Sequence, residues 1–311
     1  MSHLCSSRTI AFAVAAAWTL AACGGDDAPG TLPQLGAATG ASLVSCSDLT
    51  TKLTFANTTF TAASAVAAGG RKVGGNAIPS HCVVTGKMFD RVSTVDGKSY
   101  AIGFEMRLPD TWNGRFFYQA NGGTDGSVST ANGTFGGGPV TSALAQGFAV
   151  LSSDAGHNAA QNPTFGIDPQ ARLDYGYQAV GKLTPMAKSV IQTAYGKAAD
   201  RSYFGGCSNG GRHTMVTFAR LFLVPGMTHC SAGPATDQFD MLTPIVNWVE
   251  KGQAPDSVLA SARGASNPGG ASADIPASWS PTRTRPLCSY PKVATYNGSG
   301  SIELAGSFSC K

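Results

Sequence analysis

The sequence predicts an α/β fold in which a mixed, largely parallel sheet is flanked by helices. Strand-like segments come first along the chain, an amphipathic helix follows them, and short strands come after it. This order is typical of a sheet whose later part is parallel. Glycine accounts for 39 of the 311 residues, more than its usual share, and has no G-X-Y period. The excess indicates tight turns and close backbone approaches.

The strand predictions rest on short apolar or alternating segments. Ile102, Met106 and Leu108 fall on one face of segment 100–108, opposite polar or small residues. Apolar residues three and four apart predict a helix over 173–195. Residues 41–80 show only weak periodicity, and 261–287 read as a loop rich in Ser, Ala and Pro. Strands are predicted at 83–89, 100–108, 114–119, 147–153, 203–206 and 221–224.

Composition excludes several classes of protein. The chain is 42% hydrophobic and 13% charged, which excludes an intrinsically disordered protein and a coiled coil. The formal net charge is only +4, and no run of Lys or Arg accompanies it. A basic surface for nucleic acid is therefore not expected.

Residues 1–22 are predicted to be a targeting signal. Arg8 precedes an apolar stretch that ends in small residues and is too short to span a bilayer. The sequence Leu-Ala-Ala-Cys-Gly at 20–24 resembles the lipobox of bacterial lipoproteins, which implies cleavage before Cys23 and lipidation of its thiol. An ordinary signal peptide with an incidental cysteine is the alternative. Residues 23–40 read as a flexible tether, which leaves 41–311 as a single domain.

The leader predicts an exported protein, either secreted or lipid-anchored in the bacterial envelope, whose only membrane contact is the lipid at Cys23. An even number of cysteines in such a protein suggests three disulfides, with fifteen pairings open. Zinc binding is the rival, but the chain has no C-x-x-C or H-x-x-x-H spacing. We therefore expect no metal site. The six cysteines outside the leader and lipid site are Cys46, Cys82, Cys207, Cys230, Cys288 and Cys310.

Residues 206–211, Gly-Cys-Ser-Asn-Gly-Gly, fit the G-x-S-x-G nucleophile elbow. The motif follows a predicted strand and opens a helical segment. The turn is so tight that flanking side chains must be absent, and the helix N-terminus can then stabilise an oxyanion. In this setting the motif indicates that Ser208 is a nucleophile. A structural glycine turn is the alternative.

A serine nucleophile needs a base, and His229 is the favoured one of the five histidines. Cys207 precedes the serine and Cys230 follows the histidine. A disulfide between these cysteines would hold their Cα atoms within about 7 Å and bring Ser208 and His229 within reach of each other. A buried structural histidine is the alternative. His213, on the elbow helix, is expected to face solvent or the rim of the core.

Cys207-Ser208 and His229-Cys230 together resemble the CS-D-HC arrangement of the tannase and feruloyl esterase family of α/β-hydrolases. The resemblance implies that Ser208 is the nucleophile and His229 the general base, and that the N–H groups of Gly123 and Asn209 form the oxyanion hole. It also implies a small aromatic ester as substrate. Segments 112–117, 166–174, 221–230, 239–244 and 284–288 read as family blocks. The implied disulfides are Cys46–Cys82, Cys207–Cys230 and Cys288–Cys310.

The chain departs from the family pattern between the elbow and the histidine. Family members carry a lid domain, a calcium site and the triad aspartate there, whereas only 20 residues, 209–228, separate the two here. We expect a shortened α/β-hydrolase core with no lid, no cofactor and a seam near 215–218. Asp237, Asp240 and Asp154 are the possible substitute acids. Asp154, paired with His157, is more readily explained as ordering the loop over the oxyanion region.

A strand at 221–224 could pair directly with 202–205, since a 15-residue crossover, 206–220, suffices for a right-handed link. Without the missing strands, an apolar sheet edge would be exposed, which favours self-association.

Two functions remain open. The first is an exported serine carboxylesterase for galloyl, feruloyl or terephthaloyl esters, impaired by loss of the lid and the triad acid. The second is a catalytically inactive lipoprotein remnant that retains the hydrolase scaffold.

Overall fold

A six-stranded mixed sheet with helices packed on it forms the centre of the molecule. The computed structural model describes residues 35–134, 142–214, 222–265, 267 and 270–311. The predicted signal peptide, the lipidation site Cys23 and the seam at 215–218 lie outside the described residues.

The described elements are numbered in chain order. Strands are β1 (Ala41–Ser42), β2 (Thr58–Val66), β3 (Lys72–Val73), β4 (Asn76–Ala77), β5 (His81–Val92), β6 (Ser99–Pro109), β7 (Thr111–Trp112), β8 (Arg115–Ala120), β9 (Ala149–Ser153), β10 (Arg201–Gly206), β11 (Gln238–Phe239), β12 (Ser257–Ser261), β13 (Thr284–Cys288), β14 (Ala294–Tyr296) and β15 (Phe308–Cys310). Helices are α1 (Leu49–Lys52), α2 (Pro169–Leu173), α3 (Ala179–Tyr195), α4 (Asn209–Thr214) and α5 (Leu242–Lys251). A π-helical turn spans Asp174–Gln178, and short 3₁₀ turns lie at Ala159–Gln161, Thr164–Ile167 and Ala305–Ser307.

The central sheet has the strand order β10-β8-β9-β6-β5-β2. The predicted strands at 83–89, 100–108, 114–119, 147–153 and 203–206 are confirmed, within β5, β6, β8, β9 and β10. The mixed sheet with a parallel later part is also confirmed. "Largely parallel" was wrong in detail, because only the β8–β9 and β8–β10 pairings are parallel, while β2–β5, β5–β6 and β6–β9 are antiparallel. Most of the pairings are antiparallel because the sheet is built around the long β5–β6 hairpin.

Helical structure runs without a break from Pro169 to Tyr195, which confirms the helix predicted over 173–195. Asp168 caps the first turn by accepting a hydrogen bond from the Ala171 N–H. The helix ends at Gly196, whose φ of 71° is readily adopted by glycine. The buried face of α3 consists of Ala179, Leu183, Met186, Ala187, Val190, Ile191, Ala194 and Tyr195.

The main core lies between this helix and the central sheet. Trp112 stacks on Tyr195 with ring centroids 4.5 Å apart. The Tyr195 hydroxyl donates to the Pro109 carbonyl oxygen at 2.8 Å, so the helix end is fixed to the end of β6. Of the predicted tether, residues 35–40 are described, and the Thr39 N–H donates to Asp200. None of the helices in the described ranges is long and apolar enough to cross a membrane.

The predicted strand at 221–224 was wrong. Leu221 lies outside the described residues, and Phe222 forms only an isolated antiparallel bridge with Ser289. Phe222 and Val224 pack instead against the small sheet β11-β12-β13. Because their apolar side chains are used there, this segment does not pair with β10, whose partner in the described sheet is β8.

Sequence reasoning missed β2, α5, β12 and the C-terminal strands. β2 gives a weak signal because its small side chains, such as Ala62 and Ala63, are exposed or only partly buried. The predicted loop 261–287 was wrong at its end, because residues 284–287 belong to β13. β12 and β13 together bury Val258, Ala260 and Leu287. These short strands have few residues in which a period could be recognised.

Candidate active site

Ser208 occupies a sharp turn between β10 and α4. Its φ is 58°, a left-handed conformation rare for a residue with a side chain, and it is exposed. A β-carbon at Gly206 would lie 2.7 Å from the Ala120 carbonyl oxygen, and one at Gly210 would overlap the same oxygen. Both positions therefore require glycine. The predicted strand–turn–helix context of G-x-S-x-G is confirmed.

The three disulfides implied by the resemblance are present. Cys207 and Cys230 join the elbow to the segment that carries His229, with Cα atoms 6.2 Å apart. Cys46–Cys82 links the region before α1 to β5, and Cys288–Cys310 links β13 to β15, each with Cα atoms 5.5 Å apart. The elbow disulfide therefore places Ser208 and His229 one residue from each end of the same cross-link.

His229 is exposed in a turn formed by residues 228–232. The Thr228 N–H donates to the Ala232 carbonyl oxygen at 3.1 Å, which closes this turn. Within the described part of the chain, the His229 ring has no hydrogen bond with Ser208 or with a carboxylate. Ser208 and His229 are thus neighbours through the disulfide, and their catalytic roles remain predictions.

The possible substitute acids each have other partners. Asp237 is fully buried, forms an ion pair with Arg263 at 2.7 Å, and accepts the Ala232 N–H at 2.5 Å. Asp240 accepts the backbone N–H groups of the first turn of α5. Neither carboxylate contacts His229, so an orienting role for either would require a rearrangement.

Asp154 accepts the N–H groups of Gly103 and Gly156, each at 2.9 Å. Burial raises the pKa of Asp154 to about 7 against the effect of these two donors, and the nearby Asp125 charge raises it further. Asp154 also offers its backbone carbonyl oxygen to the Gly126 N–H at 3.0 Å. These contacts fit a residue that orders the loop over the oxyanion region.

The loop 121–126 passes beside the serine. A β-carbon at Gly122 would lie 3.8 Å from the Ser208 Cβ, while Gly123, with φ 64°, faces open space. The Asn121 amide donates to the Ser153 carbonyl oxygen at 2.7 Å and holds the start of the loop against β9. The loop therefore approaches Ser208 at Gly122, and the role of the Gly123 N–H as an oxyanion-hole donor stays a prediction.

Sequence reasoning missed the buried cluster beneath this loop. Asn209 donates its side-chain N–H to Asp125 Oδ2 at 2.6 Å, and His213 Nε2 lies 3.3 Å from the same oxygen. The His213 side chain is buried rather than facing solvent. The i, i+4 spacing of Asn209 and His213 on one helix face was the available signal. Nothing local pointed to Asp125.

His157 belongs to the same loop support. Its ring stacks on Phe165 with centroids 3.8 Å apart, and its Nε2 lies 2.9 Å from Asn162 Oδ1. The Asn162 amide in turn donates to the Asp125 carbonyl oxygen. Burial lowers the pKa of His157. Among the described residues, no three His, Cys, Asp or Glu side chains are grouped to hold a metal ion.

The order of the central sheet, with an elbow at the end of a parallel strand, defines an α/β-hydrolase. The family model "Tannase and feruloyl esterase" matches residues 82–220 and 213–311. The chain therefore belongs to the tannase and feruloyl esterase family.

Several known proteins resemble the chain. A mono(2-hydroxyethyl) terephthalate hydrolase from Piscinibacter sakaiensis is 45% identical over 153 residues, 47% of this chain and 25% of the relative. A probable feruloyl esterase B-2 from Aspergillus flavus is 35% identical over 108 residues, 35% of this chain and 19% of the relative. The chain thus spans about a quarter or less of the curated relatives it matches.

The fold has a solved counterpart of similar extent. An esterase from Aspergillus oryzae aligns with 86% of this chain and 99% of its own, with a TM-score of 0.63 and 13% identity. At this identity the likeness concerns the fold alone, and it agrees with the predicted α/β-hydrolase core.

Proposed function

We propose that the protein is a serine carboxylic-ester hydrolase for aromatic esters. The observation that carries this proposal is the elbow, where an exposed Ser208 with φ 58° lies beside the 121–126 loop and is cross-linked to the His229 segment. Family membership supports the same reaction class, since one related protein is named as a mono(2-hydroxyethyl) terephthalate hydrolase and another as a probable feruloyl esterase.

In the proposed reaction, Ser208 Oγ attacks the ester carbonyl carbon while His229 accepts the hydroxyl proton. The N–H groups of Gly123 and Asn209 donate to the oxyanion. Collapse of the tetrahedral intermediate breaks the C–O bond, and His229 returns the proton to the leaving alcohol. Water then hydrolyses the acyl-enzyme by the same steps and releases the carboxylic acid.

The proposed site has no carboxylate, among the described residues, in contact with His229 to act as the triad acid. Loss of a triad acid costs about 10⁴-fold in turnover, but leaves catalysis above background through the oxyanion hole and binding. Asp237 holds the turn carrying His229 through the Ala232 N–H, although it does not contact the imidazole. We therefore propose an impaired esterase in which Asp237 positions the His229 turn.

An inactive hydrolase scaffold is the second candidate. This candidate is favoured because, within the described residues, no carboxylate contacts the His229 ring. Asp237 and Asp240 bind other groups. The two family-model segments meet at 213–220, which supports the proposal that the lid and calcium-site segment is missing between them. Without a lid, the acyl group is not specified. Mono(2-hydroxyethyl) terephthalate, feruloyl and galloyl esters are the compounds to test.

We also propose that the protein is exported and is secreted or lipid-anchored through Cys23. The three disulfides support export, because such bonds persist in oxidising compartments.

The test is hydrolysis of p-nitrophenyl acetate by the purified, oxidised protein, with Ser208→Ala as the diagnostic variant. We expect slow turnover that Ser208→Ala abolishes, because the nucleophile is lost while the fold is kept. Ser202→Ala removes another exposed serine from the preceding strand and serves as the matched control. Equal rates for the wild type and Ser208→Ala in cooperatively melting protein would instead support the inactive scaffold.

A further inference from the structure

The buried Asp125 carboxylate connects the two halves of the proposed oxyanion hole. Its side chain is 2% exposed. It lies two residues after Gly123, and its Oδ2 accepts the side-chain N–H of Asn209 at 2.6 Å. Gly123 and Asn209 are the two predicted backbone donors. The Asp125 carboxylate is therefore hydrogen-bonded to Asn209 and belongs to the same loop as Gly123.

His213 completes this cluster from the next turn of α4. His213 Nε2 lies 3.3 Å from Asp125 Oδ2 and 3.3 Å from Arg212 Nη2, which already donates to the Tyr175 carbonyl oxygen. Because a carboxylate only accepts hydrogen bonds, we place the proton on Nε2, facing Asp125. The Nδ1 atom is buried and has no hydrogen-bond partner among the described residues. In this tautomer of the neutral ring Nδ1 is an acceptor, and burying it unpaired is costly.

A small cavity borders the same ring. Its volume is about 10 Å³, and its polar lining includes Tyr118, Asn121, Asp125, Ser153 and His213. This is about the space that one water molecule requires, and a buried water needs two to four polar partners. The Tyr118 and Ser153 hydroxyls, 3.1 Å apart, are near enough to the cavity to share its hydrogen bonding.

We infer that Asp125 and His213, with one water molecule bound in this cavity, position the oxyanion hole. The inference rests on the proposed serine esterase function. Asp125 holds the Gly123 loop against the start of α4 through its hydrogen bond with Asn209. His213 fixes the Asp125 carboxylate by contacting the same oxygen. The water donates to His213 Nδ1. These residues act through the backbone N–H groups and do not touch the reacting atoms.

The kinetic test compares Asp125→Ala and Asp125→Asn with the wild type. Displaced donors weaken binding of the oxyanion more than binding of the ester, so we expect Asp125→Ala to lower kcat about 10–100-fold with little change in KM. Asp125→Asn keeps an acceptor oxygen and should recover part of the loss. Asp90→Ala, which removes an exposed carboxylate ion-paired with Lys87, is the control.

A second readout does not depend on activity. We expect Asp125→Ala, but not Asp90→Ala, to shift the backbone amide NMR signals of Gly123 and Asn209 and to speed their hydrogen exchange. If the wild type shows no Ser208-dependent turnover, the proposed function fails and this readout still decides the inference. Unchanged amide signals at both donors in a folded Asp125→Ala protein would overturn it.

The water is tested by ¹⁵N NMR of His213 in the wild type and by a high-resolution crystal structure. A neutral ring protonated at Nε2, with solvent density within hydrogen-bond distance of Nδ1, is expected. A dry cavity or a doubly protonated ring would refute the water-bound arrangement.

Discussion

At the scale of single residues, backbone space decides where the nucleophile can sit. Gly206 and Gly210 both lie so close to the Ala120 carbonyl oxygen that neither position has room for a β-carbon. Their absence of side chains lets the chain turn within the few residues around Ser208. The strained φ of Ser208 is held by this packing and by the disulfide that starts at Cys207.

Asp154 gives a pH prediction. Burial raises its folded pKa from 3.8 to about 7. A folded state with a raised carboxyl pKa retains its proton more strongly, so the stabilisation is full below about pH 4 and is lost as the pH rises towards 7. The linked change in the free energy of unfolding is on the order of 4 kcal/mol.

Replacing Asp154 by Asn should remove this dependence, because the amide can accept the Gly103 and Gly156 N–H groups without ionising. Urea unfolding at about pH 5 and about pH 8 would measure it. We expect the wild type to lose stability relative to Asp154→Asn between these values. Parallel pH profiles for the two proteins would contradict the assignment.

At the scale of elements, the turn carrying His229 depends on a buried ion pair. Asp237 is fully buried, and Arg263, two residues after β12, donates to it through Nε and Nη2. The same carboxylate accepts the Ala232 N–H. The turn is therefore fixed to the small β11-β12-β13 sheet as well as to the elbow disulfide.

Asp237→Asn should destabilise the protein by about 3–5 kcal/mol, since it leaves the Arg263 charge buried without its counter-ion. Chemical denaturation followed by circular dichroism would measure the change. Asp48→Asn is the matched control, because the Asp48–Lys52 pair is about half exposed and its loss should leave the stability nearly unchanged. A similar small effect for both variants would show that Asp237 is not needed to hold the turn.

At the scale of the whole molecule, the surroundings of Ser208 are open among the residues that the structure describes. Ser208 and His229 are exposed, and Gly123 faces free space. Few contacts are then available for a large acyl group, so we expect higher kcat/KM for p-nitrophenyl acetate than for mono(2-hydroxyethyl) terephthalate. Parallel steady-state assays would test this ranking. A clear preference for the bulky aromatic monoester would overturn the expectation of a shortened, lidless site.

Strand β10, at one edge of the central sheet, is hydrogen-bonded to helix α5. The Tyr203 hydroxyl of β10 donates to Glu250 in α5 at 2.8 Å, and Arg115 of β8 forms a bidentate pair with the same carboxylate. Sequence analysis predicted an exposed apolar sheet edge but assigned it to no strand, and it paired 221–224 with the strand that is β10. It did not predict α5, because a helix of ten residues is too short to show a long apolar period.

Local patterns predicted much of the fold and of the site. The alternation in 100–108 and the apolar spacing in 173–195 identified β6 and the long helix, because each element is long enough to show its period. The strand predicted at 221–224 was wrong because an apolar run looks the same in a strand and in an irregular segment packed against another sheet. Only the contacts of Phe222 and Val224 distinguish the two.

The sequence by itself determined the nucleophile elbow, because a turn this tight accepts only glycine two residues before and two residues after Ser208. The family resemblance supplied the cysteine pairing. Only the tertiary structure decided which hydrogen-bond donors each buried carboxylate binds. Asp125 lies 84 residues from Asn209 and 88 from His213, and Asp237 lies 26 from Arg263. A buried carboxylate binds whichever donors the packed fold brings to it, and sequence spacing does not encode that choice.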